Sequence, residues 1–377
     1  MSLRTYDLQK ACFACTTPYQ VLGAISIVRS EKLCADIYIF SMFSGYLELA
    51  QRLIEMHLFE NVIVVDCDKV GPLSHCHAKS LARIKAFIQI TFPARCLREY
   101  VGKKIAYECF YSSSRAHVKL LLQKVLQKRN PKMNVVIYDD GLGSYLVDSH
   151  VLRTSKLRKK AEKFLGWDLF VPNQVSIQLY LPSIAQLPTE LRQYPISQMP
   201  RIDWNASDER ALIKLVFGTT ERIQYPERVI LFDNVRGAES RKHMFEQIDQ
   251  CFAEIVDLAG QNNVAYKPHP RSREKSHVPC HEIIEQGTPM EILYSEMNDL
   301  ESRILIAYNS TATYTPKLLF GAEPWVVNLH RIVGPPLQEN AETLYQTFLP
   351  TYNNKGKLLA PNNMQELREI LKKILKE

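Results

Sequence analysis

The stretch Asn134-Val-Val-Ile-Tyr-Asp-Asp-Gly-Leu-Gly143 decides how the rest of the chain is understood. Val135, Val136, Ile137 and Tyr138 form the short unbroken apolar run of a strand buried on both faces. Asp139 and Asp140 then stand at its carboxyl end, where an open α/β sheet carries its ligands, and Gly141 and Gly143 permit a tight turn. Neighbouring carboxylates that are desolvated together raise each other's proton affinity, which suits a general base. The same residues also suit an ordinary strand-to-helix turn with an Asp N-cap, and only what accompanies the motif separates the two.

Working outward toward the N-terminus, an apolar strand over 11–16 runs into Thr17-Pro18-Tyr19-Gln20, after which Val21, Leu22, Ile25 and Val28 recur at helical spacing. This βα unit repeats, with strands over 36–41, 61–66 and 105–111 and helices over 45–57, 79–90 and 115–128, the last capped by Ser112-Ser113-Ser114. Alternating strands and helices predict a parallel, doubly wound, Rossmann-like domain. Beyond the central strand, Arg153, Lys156, Arg158, Lys159, Lys160 and Lys163 share a helix-compatible segment, which is either a solvated face or a dock for anionic lipid head groups. Pro172, Pro182, Pro188, Pro195 and Pro200 interrupt 172–201, so an irregular crossover is expected there, followed by a helix over 207–218.

A second α/β pattern opens with a strand over 229–232 that ends in Asp233-Asn234, and continues with a helix over 241–259. A strand over 263–266 leads into Lys267-Pro268-His269-Pro270-Arg271, and Glu291 falls early in a helix over 288–298. A strand over 303–307 precedes Asn309-Ser310-Thr311-Ala312-Thr313, which is expected to cap a helix reaching residue 320, and one more strand spans 325–329. The amphipathic segment 363–376 carries Leu367, Ile370, Leu371 and Ile374 along one stripe. The expected organisation is an N-terminal Rossmann-like domain over 1–205, a second one over 206–360, and a closing helix over 361–377 that packs back on the first domain. The two Rossmann-like domains face each other across a cleft in this expectation.

At 377 residues, 46% of them hydrophobic, the chain can fill two such cores. A formal net charge of +7 favours an anionic substrate or surface but falls short of a nucleic-acid footprint, and no nucleic-acid-reading motif is present. The nine cysteines lack framework spacing, and several (Cys12, Cys15, Cys109) sit inside apolar strands, as expected of buried thiols in a reducing compartment. Cys12-x-x-Cys15 lies within a strand and not at a helix start, and His75-Cys76-His77 has no second ligand pair at zinc spacing. No signal-peptide pattern heads the chain and no apolar run approaches the ~18 residues of a membrane span, so a cytoplasmic protein is expected.

His269 follows a strand directly and is flanked by prolines that stiffen its turn, which suits a general acid, although a plain loop histidine has the same surroundings. Lys267 and Arg271 supply positive charge for an anionic leaving group. Ser310 and Thr311 offer hydroxyls and backbone N–H groups at an expected helix start, a place that caps a helix and also binds phosphate. Glu291 is placed to accept from ribose hydroxyls or simply to favour its helix N-terminus. There is no glycine-rich dinucleotide fingerprint and no Walker loop.

In this order, Asp139-Asp140-Gly141, His269-Pro270 and Ser310-Thr311 resemble the motif series of bacterial sialyltransferases. The wording around them looks most like glycosyltransferase family 52, the lipooligosaccharide sialyltransferases, with the capsular polysialyltransferases close behind. The resemblance implies a GT-B enzyme that needs neither metal nor cofactor and transfers sialic acid from CMP-sialic acid with inversion. It implies Asp140 as the base with Asp139 in support, His269 on the departing phosphate, Ser310 and Thr311 holding that phosphate, and Glu291 on the ribose. In some family 52 members the base follows the first strand of the second domain, where this chain has Asp233. The implied partners are a nucleotide-sugar donor and a glycan acceptor, lipooligosaccharide or capsule, met at the inner membrane through 153–163, with a homodimer left open. A GT-B enzyme using a UDP-hexose and a two-lobed sugar-binding protein are the rival expectations.

Overall fold

A computed structural model describes residues 10–70, 97–102, 106–113, 117–145, 174–187, 192–219, 225–236, 241–269, 272, 275–283, 289–335 and 338–377. The helix expected over 79–90, His75-Cys76-His77, the basic segment 153–163, Pro270 and Arg271 lie outside these residues. The chain divides into two units, Met1–Ile202 and Asp203–Glu377, each an α/β unit around its own parallel sheet.

The first sheet contains β1 (Lys10–Cys15), β2 (Cys34–Phe40), β3 (Asn61–Val65), β4 (Cys109–Ser112), β5 (Asn134–Tyr138), β6 (Val175–Leu179) and β7 (Ile196–Gln198). Their spatial order is β3-β2-β1-β4-β5-β6-β7, all parallel. Chain order reverses between β1 and β4, and a doubly wound sheet opens its binding crevice at such a reversal, outside the carboxyl ends of the strands. β5 is paired on both sides, which is why its apolar run is continuous. The helix Pro18–Glu31 starts with the Thr17 hydroxyl accepting from the Gln20 N–H and with Pro18 at its first position. It passes so close to β5 that a Cβ at Gly23 would come within 3.2 Å of the Tyr138 ring.

The segment expected to be irregular supplies two strands, β6 and β7. Its prolines bracket these strands and do not enter them: Pro182 follows β6, Pro195 precedes β7 and Pro200 follows it. β6 alternates buried and half-buried positions, the pattern of a strand near a sheet edge.

The second sheet contains β8 (Val229–Phe232), β9 (Val264–Lys267), β10 (His281–Glu282), β11 (Ile304–Ala307), β12 (Trp325–Asn328) and β13 (Leu358–Leu359), in the order β10-β9-β8-β11-β12-β13. The two edge strands, β10 and β13, are two residues long and too short for any periodic signal. The helix Lys242–Ala259 buries Ile248, Cys251, Phe252 and Ile255 on this sheet.

The closing helix Met364–Ile374, expected to pack back on the first domain, packs into the core of the second unit. Leu367, Leu371 and Ile374 enter the same cluster as Phe252, Arg368 pairs with Glu254 at 2.6 Å, and Arg228 donates to the Ile374 and Leu375 carbonyls at 2.9 and 3.2 Å. A guanidinium on the last carbonyls satisfies acceptors that the helix leaves open. Among the described residues no helix is long and apolar enough to cross a membrane.

Candidate active site

In the first unit, three adjacent loops meet at the carboxyl ends of β1, β4 and β5. After β5, Gly141 adopts φ 84°, a left-handed conformation that glycine reaches without strain. That turn returns the Gly141 N–H to Asp139 Oδ1 at 2.7 Å, and the Asp140 N–H donates to Ser144 Oγ at 2.9 Å. Asp139 is 1% exposed; its other oxygen accepts from the Tyr145 hydroxyl and from the Tyr180 N–H at 3.3 Å. Burial pushes its carboxyl up to about 6, against the donors from Tyr145, Gly141 and Tyr180 that pull it down. Asp139 therefore ties the β5 turn to the end of β6.

Asp140 is partly exposed, and its Oδ1 accepts from Gln20 Nε2 at 2.7 Å. Gln20 comes from the first turn of the helix after β1, and Lys119 from the first turn of the helix His117–Arg129 after β4. Lys119 Nζ donates to Gln20 Oε1 at 2.7 Å and to Ser113 Oγ at 3.2 Å. Lys119 is 1% exposed, and burial pulls its ammonium down to about 8 while Asp140 and Cys15 draw it back up. Sequence reasoning missed both Gln20 and Lys119. The available signal was the lysine itself, a charge among Val118, Leu121 and Leu122 on the apolar side of a helix.

Cys12 and Cys15 are fully buried free thiols in β1, with Cys15 pushed up to about 11 chiefly by burial, the opposite of what a redox pair requires.

In the second unit, β9, β8 and β11 are neighbours, so the loops that carry His269, Asp233 and Ser310 emerge side by side. Asn234 Nδ2 donates to the Asn309 carbonyl at 2.9 Å, Ser272 Oγ donates to the Asn234 carbonyl at 3.1 Å, and the Ser272 N–H donates to the His269 carbonyl at 2.9 Å. These bonds lace the three predicted loops into one surface. His269 and Lys267 are both partly exposed there.

Asp233 is fully committed within this array. Oδ2 accepts from Arg236 Nε at 2.5 Å and from the Tyr266 hydroxyl at 2.5 Å, while Oδ1 accepts from the Asn234 N–H at 2.8 Å. Arg236 reaches on to Asp249 at 2.6 and 2.9 Å.

Ser310 and Thr311 are partly exposed, but they do not open a long α-helix. A three-residue 3-10 turn, Thr311–Thr313, is followed by a five-residue π-helical segment, Pro316–Phe320, and the Ser310 side chain makes no capping bond. Tyr294 fixes the turn by donating to the Ala312 carbonyl at 2.8 Å. Phosphate binding here would rest on hydroxyls and local N–H groups, since so short a helix sums little dipole. Glu291, expected at ribose hydroxyls, is 5% exposed and lies within hydrogen-bond reach of Thr315, next to the Ser310 turn. Burial raises its carboxyl, while the Thr315 hydroxyl and Lys267 pull it back.

Two solved structures align with nearly the whole chain. A crystal structure of LpCGTa in complex with UDP shows 9% identity and a TM-score of 0.49, covering 98% of this chain and 91% of its own. A ugt transferase from Siraitia grosvenorii in complex with UDP shows 10% identity and a TM-score of 0.42, covering 98% and 92%. No curated protein matches. The sequence model of the alpha-2,8-polysialyltransferases matches residues 12–324, a span that takes in both sheets' central strands and all of Asp139, Asp140, Asp233, His269, Glu291, Ser310 and Thr311. Of the two relationships the motifs pointed to, the match falls on the polysialyltransferases, and the chain belongs to the alpha-2,8-polysialyltransferase family, a family of glycosyltransferases.

Proposed function

We propose that the protein is an inverting, metal-independent sialyltransferase of GT-B architecture that moves sialic acid from CMP-sialic acid to a hydroxyl of a cell-surface glycan, lipooligosaccharide or capsule. The observation that carries this reading is the family match over 12–324, which holds the Asp-Asp-Gly, His-Pro and Ser-Thr motifs in a single frame. Asp140 takes the acceptor's hydroxyl proton as that oxygen bonds to the anomeric carbon of sialic acid. The bond from that carbon to the CMP phosphate breaks, and His269 donates a hydrogen bond or proton to the departing phosphate. Ser310, Thr311, Lys267 and Arg271 hold the phosphate, Pro270 stiffens the His269 turn, and Glu291 supports the Ser310 turn beside the nucleotide.

The buried ion pair of Asp233 favours Asp140 as the base. A carboxylate already shared by a guanidinium, a phenol and an amide must give up a buried ion pair before it can take a proton. Asp140 is partly exposed. CMP leaves with one phosphate, whose charge a histidine and hydroxyl donors can meet, so activity is expected to survive EDTA. Loss of turnover in EDTA, restored by Mg²⁺ or Mn²⁺, would sink that part of the reading.

The deciding experiment is turnover of CMP-sialic acid against a panel of glycan acceptors, paired with thermal shift by CMP and UDP. CMP is expected to raise the melting temperature and UDP to leave it unchanged. Stabilisation by UDP with turnover of a UDP-hexose would replace the donor assignment. The family membership already sets aside the non-enzymatic sugar-binding reading. Contact with the inner membrane through 153–163 is proposed as peripheral, and is checked by salt-sensitive sedimentation with anionic vesicles.

A further inference from the structure

Gln20 is held on every side. Its N–H donates to Thr17 Oγ1 at 3.3 Å, its carbonyl accepts from the Tyr138 hydroxyl at 3.1 Å, and its Oε1 collects the Thr16 N–H at 2.7 Å, the Thr16 hydroxyl at 3.1 Å and Lys119 Nζ at 2.7 Å. A backbone N–H and an ammonium can only donate, so the side-chain oxygen must face them and the NH₂ must face Asp140. The orientation of this amide is thus dictated by its neighbours. Lys119 is buried behind it and donates to the same amide whose NH₂ meets the Asp140 carboxylate.

We infer that Gln20 and Lys119 are positioning residues for Asp140: Gln20 fixes the direction in which its carboxylate faces, and Lys119 supplies the positive charge behind it. The inference rests on Asp140 being the acceptor-side base. Among the described residues the other titratable groups facing Asp140 are Asp139 from its own turn, Cys15 at the end of β1 and Tyr138 in β5, while Tyr19, Tyr145 and Tyr180 surround Asp139. Cys15 and Tyr138 are pushed upward mainly by burial and stay neutral where carboxylates titrate. The charge of Asp140 helps Asp139 to keep its proton, and among the described residues Lys119 is the buried cation that favours ionisation of Asp140.

A base is lost as pH falls through its pKa, and removing a nearby cation raises that pKa. The acid limb of the kcat/KM profile should therefore move to higher pH, by about one unit, in Lys119→Met. Gln20→Ala should move it the same way and lower kcat about tenfold, with a smaller change in acceptor KM. A purely structural role would lower thermal stability and leave the limb where it is. Circular dichroism checks folding, and if Lys119→Met does not fold, Gln20→Ala decides alone because it leaves the lysine in place. An unmoved limb in the folded variants, with Asp140→Asn inactive, overturns this proposal and leaves the base assignment standing. Near-normal turnover in Asp140→Asn overturns both.

Discussion

Asp140 and Asp233 sit at comparable places, each just past a buried parallel strand near the reversal point of its own sheet, yet their surroundings are opposite. Asp233 is buried and spends both oxygens on Arg236, Tyr266 and a backbone N–H, with Arg236 bound onward to Asp249. Asp140 is partly exposed and is approached from behind by an amide that is itself backed by a buried lysine. Position at a strand end makes a carboxylate available to a ligand, but the partners it already has decide whether it can accept a proton. By that measure Asp233 is committed to its own loop and to β9, and Asp140 is the carboxylate we propose as the base.

The sharpest way to break this comparison is to neutralise each carboxylate in turn. Asp140→Asn should lower kcat about a thousandfold with little change in melting temperature, as removal of a general base does. Asp233→Asn should do the reverse, costing about 3 kcal/mol of stability by removing one of the two carboxylates that hold the buried Arg236 guanidinium, while the folded fraction keeps kcat within about tenfold. Steady-state kinetics beside thermal melts would decide it. A folded Asp233→Asn protein without turnover would place the base in the second unit.

His269→Ala sharpens the comparison from the leaving-group side. Turnover should drop about a hundredfold while CMP affinity, followed by thermal shift titration, changes only a few-fold, because the contact strengthens in the transition state. Equal losses in kcat and CMP affinity would instead make His269 an ordinary binding residue.

Much of this was legible in the sequence, for reasons that particular residues show. The apolar runs of β5, β8 and β11 are continuous because each lies between two paired neighbours, so their loops, with Asp139, Asp140, Asp233 and Ser310, could be placed at strand ends from the residue pattern alone. β6 escaped because proline density around 172–201 masked a five-residue strand that the prolines only bracket. The short turn after Ser310 escaped because a π-helical segment has the same composition as an α-helix. Gln20 and Lys119 lie 99 residues apart, and nothing local to either signals that they share a hydrogen bond.

The smallest effect tests the other half of the carboxylate pair. Asp139 has its pKa raised from 3.8 to about 6 by burial, so the folded chain holds this proton more tightly than the unfolded chain. Its contribution to stability is then complete below about pH 4 and is lost as pH rises through about 6, a change on the order of 3 kcal/mol over the whole range. Other groups run the opposite way: Glu342, held low chiefly by its hydrogen bond to Arg331, weakens the fold as pH falls. The informative quantity is therefore the stability of the wild type minus that of Asp139→Asn, followed from pH 4 to pH 7. The amide offers one oxygen where the carboxylate offered two, and its NH₂ must meet a donor, so the variant is weaker by a constant amount. On top of that constant, the difference should shrink by about 2 kcal/mol as pH rises, because only the wild type pays to ionise a buried group. A difference that stays flat would mean that Tyr145, Gly141 and Tyr180 outweigh burial. Asp139 would then be ionised throughout, and the charge that Lys119 has to offset beside Asp140 would be larger than the geometry of Gln20 suggests.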